Sequence, residues 1–158
     1  MHRYIEVDEY LTEVFLNVLE KVFPRYQTLK FKLIFDLKKR ISQGKLTLAS
    51  IELASPKIKF FSKDNIATEG YDYIIIIDKK AWEFSSEFNK LRILRHELRH
   101  VFIDEKGTPK LIGHEIEDFY SEIELNKDDP EWRRIVTTLI IDAYKQERDM
   151  AKEKAKEN

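Results

Sequence analysis

No cysteine occurs among the 158 residues, and that absence removes disulfides, thiolate metal sites and a cysteine nucleophile together. Whatever metal chemistry the chain performs must use imidazoles and carboxylates. Charge of one sign is lacking as well: 28 Lys+Arg stand against 29 Asp+Glu, for a formal net charge of -1. Overall electrostatics therefore point to neither a nucleic-acid nor an anionic membrane partner. Only four glycines and four prolines are present, with no internal repeat and no low-complexity linker, so one domain over residues 1–158 is expected. No apolar run approaches the roughly 20 residues of a membrane span. The opening Met1-His2-Arg3-Tyr4-Ile5-Glu6 has no apolar leader segment, and a soluble, cytoplasmic protein is expected.

What is present is a globular balance of 42% hydrophobic and 36% charged residues, enough for a sizeable core. Leu11, Val14, Phe15, Val18, Leu19 and Val22 recur at spacings of three and four, which predicts an amphipathic helix over 8–23 stopped by Pro24. Residues 31–36 and 45–53 read as short strands, with Gly44 serving the turn between them. Residues 55–65 fit a strand or one helical turn equally, because Ile58, Phe60 and Phe61 suit both. Tyr71-Asp72-Tyr73-Ile74-Ile75-Ile76-Ile77-Asp78 is the clearest strand, β-branched and aromatic, and should be buried on both faces. Asp78 can cap a short helix through Trp82, and Ser85 or Ser86 a longer one. Asp129-Pro130 then opens a last helix with Trp132, Ile135, Val136, Leu139, Ile140 and Ala143 on one face. Residues 145–158 form its charged, fraying end. Strands and helices in this order give an α+β fold, a small mixed sheet packed on helices.

Within the apolar-periodic segment 91–102 lies His96-Glu97-Leu98-Arg99-His100, an H-E-x-x-H. On a helix, residues four apart project from one face, so both imidazoles can hold a single ion. Leu91, Leu94, Leu98, Val101 and Phe102 share the opposite side of the predicted helix, which keeps the histidines off the apolar stripe. Neutral imidazole nitrogens suit Zn2+, and two of them leave a tetrahedral site unfinished. Glu97 is turned toward the same cleft, where a carboxylate can take a proton from a metal-activated water. The third ligand is sought after the turn at Lys106-Gly107-Thr108-Pro109. There a second helix should begin, with Ile116, Phe119, Tyr120 and Ile123 on its apolar side and His114 and Asp118 on the other. An αα-hairpin would bring the two polar faces together. His114 is the chosen ligand; Glu115, Glu117 or Asp118 can replace it or orient an imidazole from outside.

Here the chain resembles the phage-type metallopeptidase domain family, a zincin-like group. The likeness runs from about residue 44 to 119. It is strongest in the strand 71–78 with Ala81-Trp82-Glu83, in the H-E-x-x-H, and in Gly113-His114-Glu115-Ile116-Glu117-Asp118-Phe119. The family usually has Asp where Glu115 stands and a small residue or cysteine in place of Arg99. The resemblance implies a zincin-like fold and one zinc per chain held by His96, His100 and His114, with Glu97 as the catalytic carboxylate. A zinc-dependent metallopeptidase acting on a peptide or protein substrate follows. In such an architecture the strand before the active helix can pair with an extended substrate, so Tyr73, Ile75 and Ile77 are expected on the substrate strand. Tyr120 and Arg99 are candidate oxyanion donors.

Two other functions stand beside this one. A non-catalytic module would keep the metal only to brace two helices. Nucleic-acid binding would draw on Lys38-Lys39-Arg40 and on residues 57–63, where Phe60 and Phe61 interleave with lysines. Nothing in the sequence specifies the oligomeric state.

Overall fold

The computed structural model describes residues 2–113, 122 and 125–157. Helix α1 (Glu9–Val22) forms because Asp8 caps it, its carboxylate accepting from the Leu11 amide at 2.8 Å. Leu11, Phe15, Val18 and Leu19 make its buried stripe. Pro24 then diverts the chain into a 3-10 turn, Pro24–Tyr26.

Four strands build one mixed sheet: β1 (Tyr4–Glu6), β2 (Phe31–Asp36), β5 (Ala49–Leu53) and β6 (Tyr73–Asp78), in the order β1-β2-β6-β5. β2 and β6 run parallel in a register that places Asp36 beside Asp78, while β1 and β5 pair antiparallel on either side. The expected single strand over 45–53 is broken. Its first part is β4 (Lys45–Leu46), which forms a hairpin with β3 (Ile41–Ser42) through Gln43 and Gly44 at φ 52° and 76°, the double positive φ of a tight two-residue turn. The ambiguous stretch is a helix, α2 (Pro56–Phe61), capped by Ser55 and without a buried residue.

Two further helices follow from their caps. Asp78 accepts from the Ala81 amide and starts α3 (Lys79–Phe84), and Ser86 accepts from the Asn89 amide and starts α4 (Glu87–Leu98). The predicted helix over 91–102 therefore ends early: Val101–Ile103 is a strand, β7, paired with β8 (Pro109–Leu111). Its β-branched and aromatic residues take the extended form once a partner strand is present. The chain after α4 thus returns as a β-hairpin, and the predicted helix after it falls largely outside the described residues. The last helix, α5 (Trp132–Glu157), starts two residues beyond Pro130.

One buried cluster joins α1, β2, β6 and α4 through Phe15, Phe35, Tyr73, Ile77, Leu94 and Leu98. A second joins β4, α3, α4 and α5 through Leu46, Ala81, Ile93, Trp132 and Ile140. Helix α4 lies between them and feeds both. Among the described residues no helix is long and apolar enough to cross a membrane.

Candidate metal centre

His96 occupies the last turn of α4, only 4% exposed. His100 comes just after the helix, where the turn tightens: the Arg99 amide donates to the Arg95 carbonyl at 3.0 Å, and the His100 amide to the Glu97 carbonyl at 3.1 Å. The two rings stay close despite the helix ending between them, with centroids 5.5 Å apart and planes at 75°. His100 is then tied to the returning hairpin by two bonds. The Ile112 amide donates to the His100 carbonyl at 2.8 Å, and His100 Nδ1 lies 2.6 Å from the Ile112 carbonyl oxygen.

That second bond decides the tautomer. A carbonyl only accepts, so Nδ1 carries the hydrogen and the neutral ring keeps its lone pair on Nε2. An imidazole oriented by a carbonyl in this way is the donor a zinc ion takes. Glu97 stands between the histidines in sequence and is 6% exposed. Burial pushes its carboxyl above the ordinary carboxylate range, while charge on His96 and His100 pulls the other way.

His96, Glu97 and His100 line one cavity of about 560 Å³ together with β4 and β5, Gly113 and Arg133. Leu48, Ala49, Ser50 and Ile51 supply the sheet wall. Strand β5 is an edge: it pairs with β6 on one side, and among the described residues no strand pairs with the other. The expectation for Tyr73, Ile75 and Ile77 fails on this point. β6 has β2 on one side and β5 on the other, and these three side chains are fully buried, so no edge remains for a peptide. They are core residues.

Arg99 also departs from its expected place. Its guanidinium lies 3.3 Å from the Glu122 carboxylate and over the Phe23 ring at 4.7 Å. His114, Glu115, Glu117, Asp118 and Tyr120 lie outside the described residues. Among the described ones no three His, Asp or Glu side chains gather as a ligand set. Lys45 and Arg133, which the sequence reading missed, line the cavity. Each reaches it from an element remote from the motif, and no local spacing marks them.

The basic clusters are partly absorbed by the fold. Arg40 pairs with Asp36 at 3.2 Å and donates to Ser50 Oγ at 2.7 Å, and Lys59 pairs with Asp72 at 2.9 Å. Phe60 and Phe61 are 62% and 74% exposed.

Two imidazoles, one of them oriented by a carbonyl, and a buried carboxylate on one cavity are side chains of the kind that metal-assisted hydrolysis uses. The chain belongs to the family described as "Putative phage metallopeptidase", whose model matches residues 3–140, a longer stretch than the motifs alone cover. Comparison with curated proteins and with solved structures returned no match.

Proposed function

We propose that the chain is a single zincin-like domain that hydrolyses peptide bonds with one zinc ion, held by His96, His100 and His114, and with Glu97 as general base. The observation that carries this is the convergence of His96, Glu97 and His100 on a cavity walled by an open strand edge. The choice of His114 rests on chain reach. Gly113, immediately before it, lines the same cavity, and two residues span at most about 7 Å from Ile112, which is bonded to His100. Glu115, Glu117 and Asp118 belong to the same stretch and serve as carboxylates orienting an imidazole. Bound there, a zinc ion would polarise the peptide carbonyl and acidify water.

The remaining chemistry belongs to the chain. Glu97 accepts a proton from water and returns it to the leaving amine, and burial makes its carboxylate a stronger base than an exposed one. An extended peptide adds along the outer edge of β5, with backbone hydrogen bonds for affinity and alternate side chains facing the cavity. Arg133 and Lys45 offer positive charge on its wall. A reducing cytoplasm suits a cysteine-free enzyme of this kind.

The test measures zinc content and cleavage of casein and a peptide library. Wild type should carry about one zinc per chain. Glu97→Gln should keep the zinc and lose about 100-fold or more in turnover, and His114→Ala should bind zinc weaker by orders of magnitude. Full zinc retention in His114→Ala would transfer the third ligand to Glu115, Glu117 or Asp118. Zinc without any Glu97-dependent turnover would leave a metal-braced binding module.

A further inference from the structure

Three arginines, Arg92, Arg95 and Arg99, recur along α4 and its last turn, on the side next to the histidines. They do not face solvent. Glu122, 1% exposed, receives Arg95 Nε at 3.1 Å and Arg99 Nε at 3.3 Å. Asn126, 3% exposed, receives Arg92 Nε at 2.8 Å and Arg95 Nη2 at 3.0 Å on its one carbonyl oxygen, and its own Nδ2 has no hydrogen-bond partner among the described residues. Arg92 continues the row to Asp129 at 3.0 Å.

Along the chain, these contacts lie on either side of the segment that holds the proposed third ligand, His114. Residue 112 is bonded to His100, and residue 122 to the arginines on either side of His96 in sequence. Ile112 and Glu122, the described residues nearest to 114–121 apart from Gly113, are thus bonded to α4 and to the turn that follows it. We propose that the Glu122–Arg95–Arg99 ion cluster is a clamp that positions the third metal ligand, so that part of the ordering cost of binding the ion is met before it arrives. The clamp rests on the zinc reading above. Glu122 is a positioning residue and touches no ligand or substrate.

The experiment titrates zinc into the metal-free full-length protein by chelator competition, and records the visible absorption of the cobalt(II) form, which reports the ligand set. Glu122→Gln keeps the side chain's shape and removes its charge. It should remain folded by circular dichroism, bind zinc on the order of tenfold more weakly, and shift the cobalt spectrum. Glu122→Asp, which restores the charge, should recover most of the affinity. A merely structural role would lower the melting temperature of the apo protein while leaving affinity and spectrum, read well below that temperature, unchanged; a folded Glu122→Gln with both at wild-type values overturns the clamp. Should Glu122→Gln not fold, Arg99→Ala decides, because Arg95 still pairs with Glu122: weakened zinc binding upholds the clamp and wild-type affinity overturns it. Absence of zinc binding in the wild type itself would instead overturn the metal reading, and the clamp with it.

Discussion

Burial raises the Glu97 carboxyl above the ordinary carboxylate range, and charge on the histidines on either side offsets only part of that cost. Gly70 is a residue of another kind, needed for the side chain it lacks. It holds φ at 88°, and a Cβ there would fall inside contact distance of the Lys59 backbone carbonyl. That carbonyl belongs to α2, which buries no residue of its own, and the close approach at Gly70 is a place where α2 meets the segment leading into β6. Gly70→Ala should therefore destabilise the protein by at least about 1–3 kcal/mol from backbone strain alone, with a further cost as α2 is pushed away. Urea denaturation measures it, and a midpoint equal to that of wild type would show that the chain can relax around the new methyl.

Among the elements, β6 connects core and site from the interior of the sheet. Burial pushes the Tyr73 hydroxyl up to about 12, so it stays protonated and donates to the Lys110 carbonyl at 2.8 Å. That bond ties the inner strand to β8, and β8 leads into Ile112 and the His100 contact. Tyr73→Phe should cost about 1 kcal/mol of stability and leave KM unchanged; a raised KM at unaltered stability would return Tyr73 to the substrate path. The same strand shows how far the sequence could be read. The type and approximate bounds of α1, β2, β6 and α3 were legible because their signals are local: an apolar repeat, an aspartate cap, a β-branched run. That His96, Glu97 and His100 share one cavity was legible because five consecutive residues carry the pattern. Strand order was not, since which strand becomes an edge depends on partners remote in the chain, and the inner β6 reads like any other apolar strand. β7 was hidden because Val101 and Phe102 continue the three-and-four spacing of α4, and a three-residue strand is too short to show a period of its own.

At the scale of the whole molecule, the carboxyl ends of β2 and β6 gather parts that lie far apart in sequence around two buried carboxylates. Asp36 and Asp78 stand side by side in register, each no more than 1% exposed. Arg3, from before β1, and Arg40, from after β2, ion-pair with Asp36 at 3.1 and 3.2 Å. Tyr144, from α5, donates to Asp78 at 2.7 Å. For Asp36, burial raises the carboxyl but the Arg3 hydrogen bonds, the Lys38 amide and the two guanidinium charges outweigh it, leaving it below the ordinary range. For Asp78, burial prevails over the Tyr144 and Ala81 hydrogen bonds and the neighbouring Asp36 adds to it, so the carboxyl titrates higher than usual. In the unfolded chain both titrate near about 3.9, which makes their linkage opposite in sign. Asp36 contributes stability that is fully present above that unfolded value and is lost as pH falls through its depressed folded one. Asp78 binds its proton more tightly in the folded state, so stability declines as pH rises from the unfolded value through the raised folded one, and the cost is complete at neutral pH. Asp36→Asn should accordingly lower the melting temperature at pH 7, and Asp78→Asn, whose amide oxygen can still cap α3, should raise it. Both differences from wild type should shrink as the pH is brought down toward 3. Melting curves of the three proteins across that range check the pair, and two substitutions shifting the temperature in the same direction by a pH-independent amount would mean that packing at this junction, and not the charge of the carboxylates, sets how firmly the N-terminal strand, the sheet and the last helix are joined.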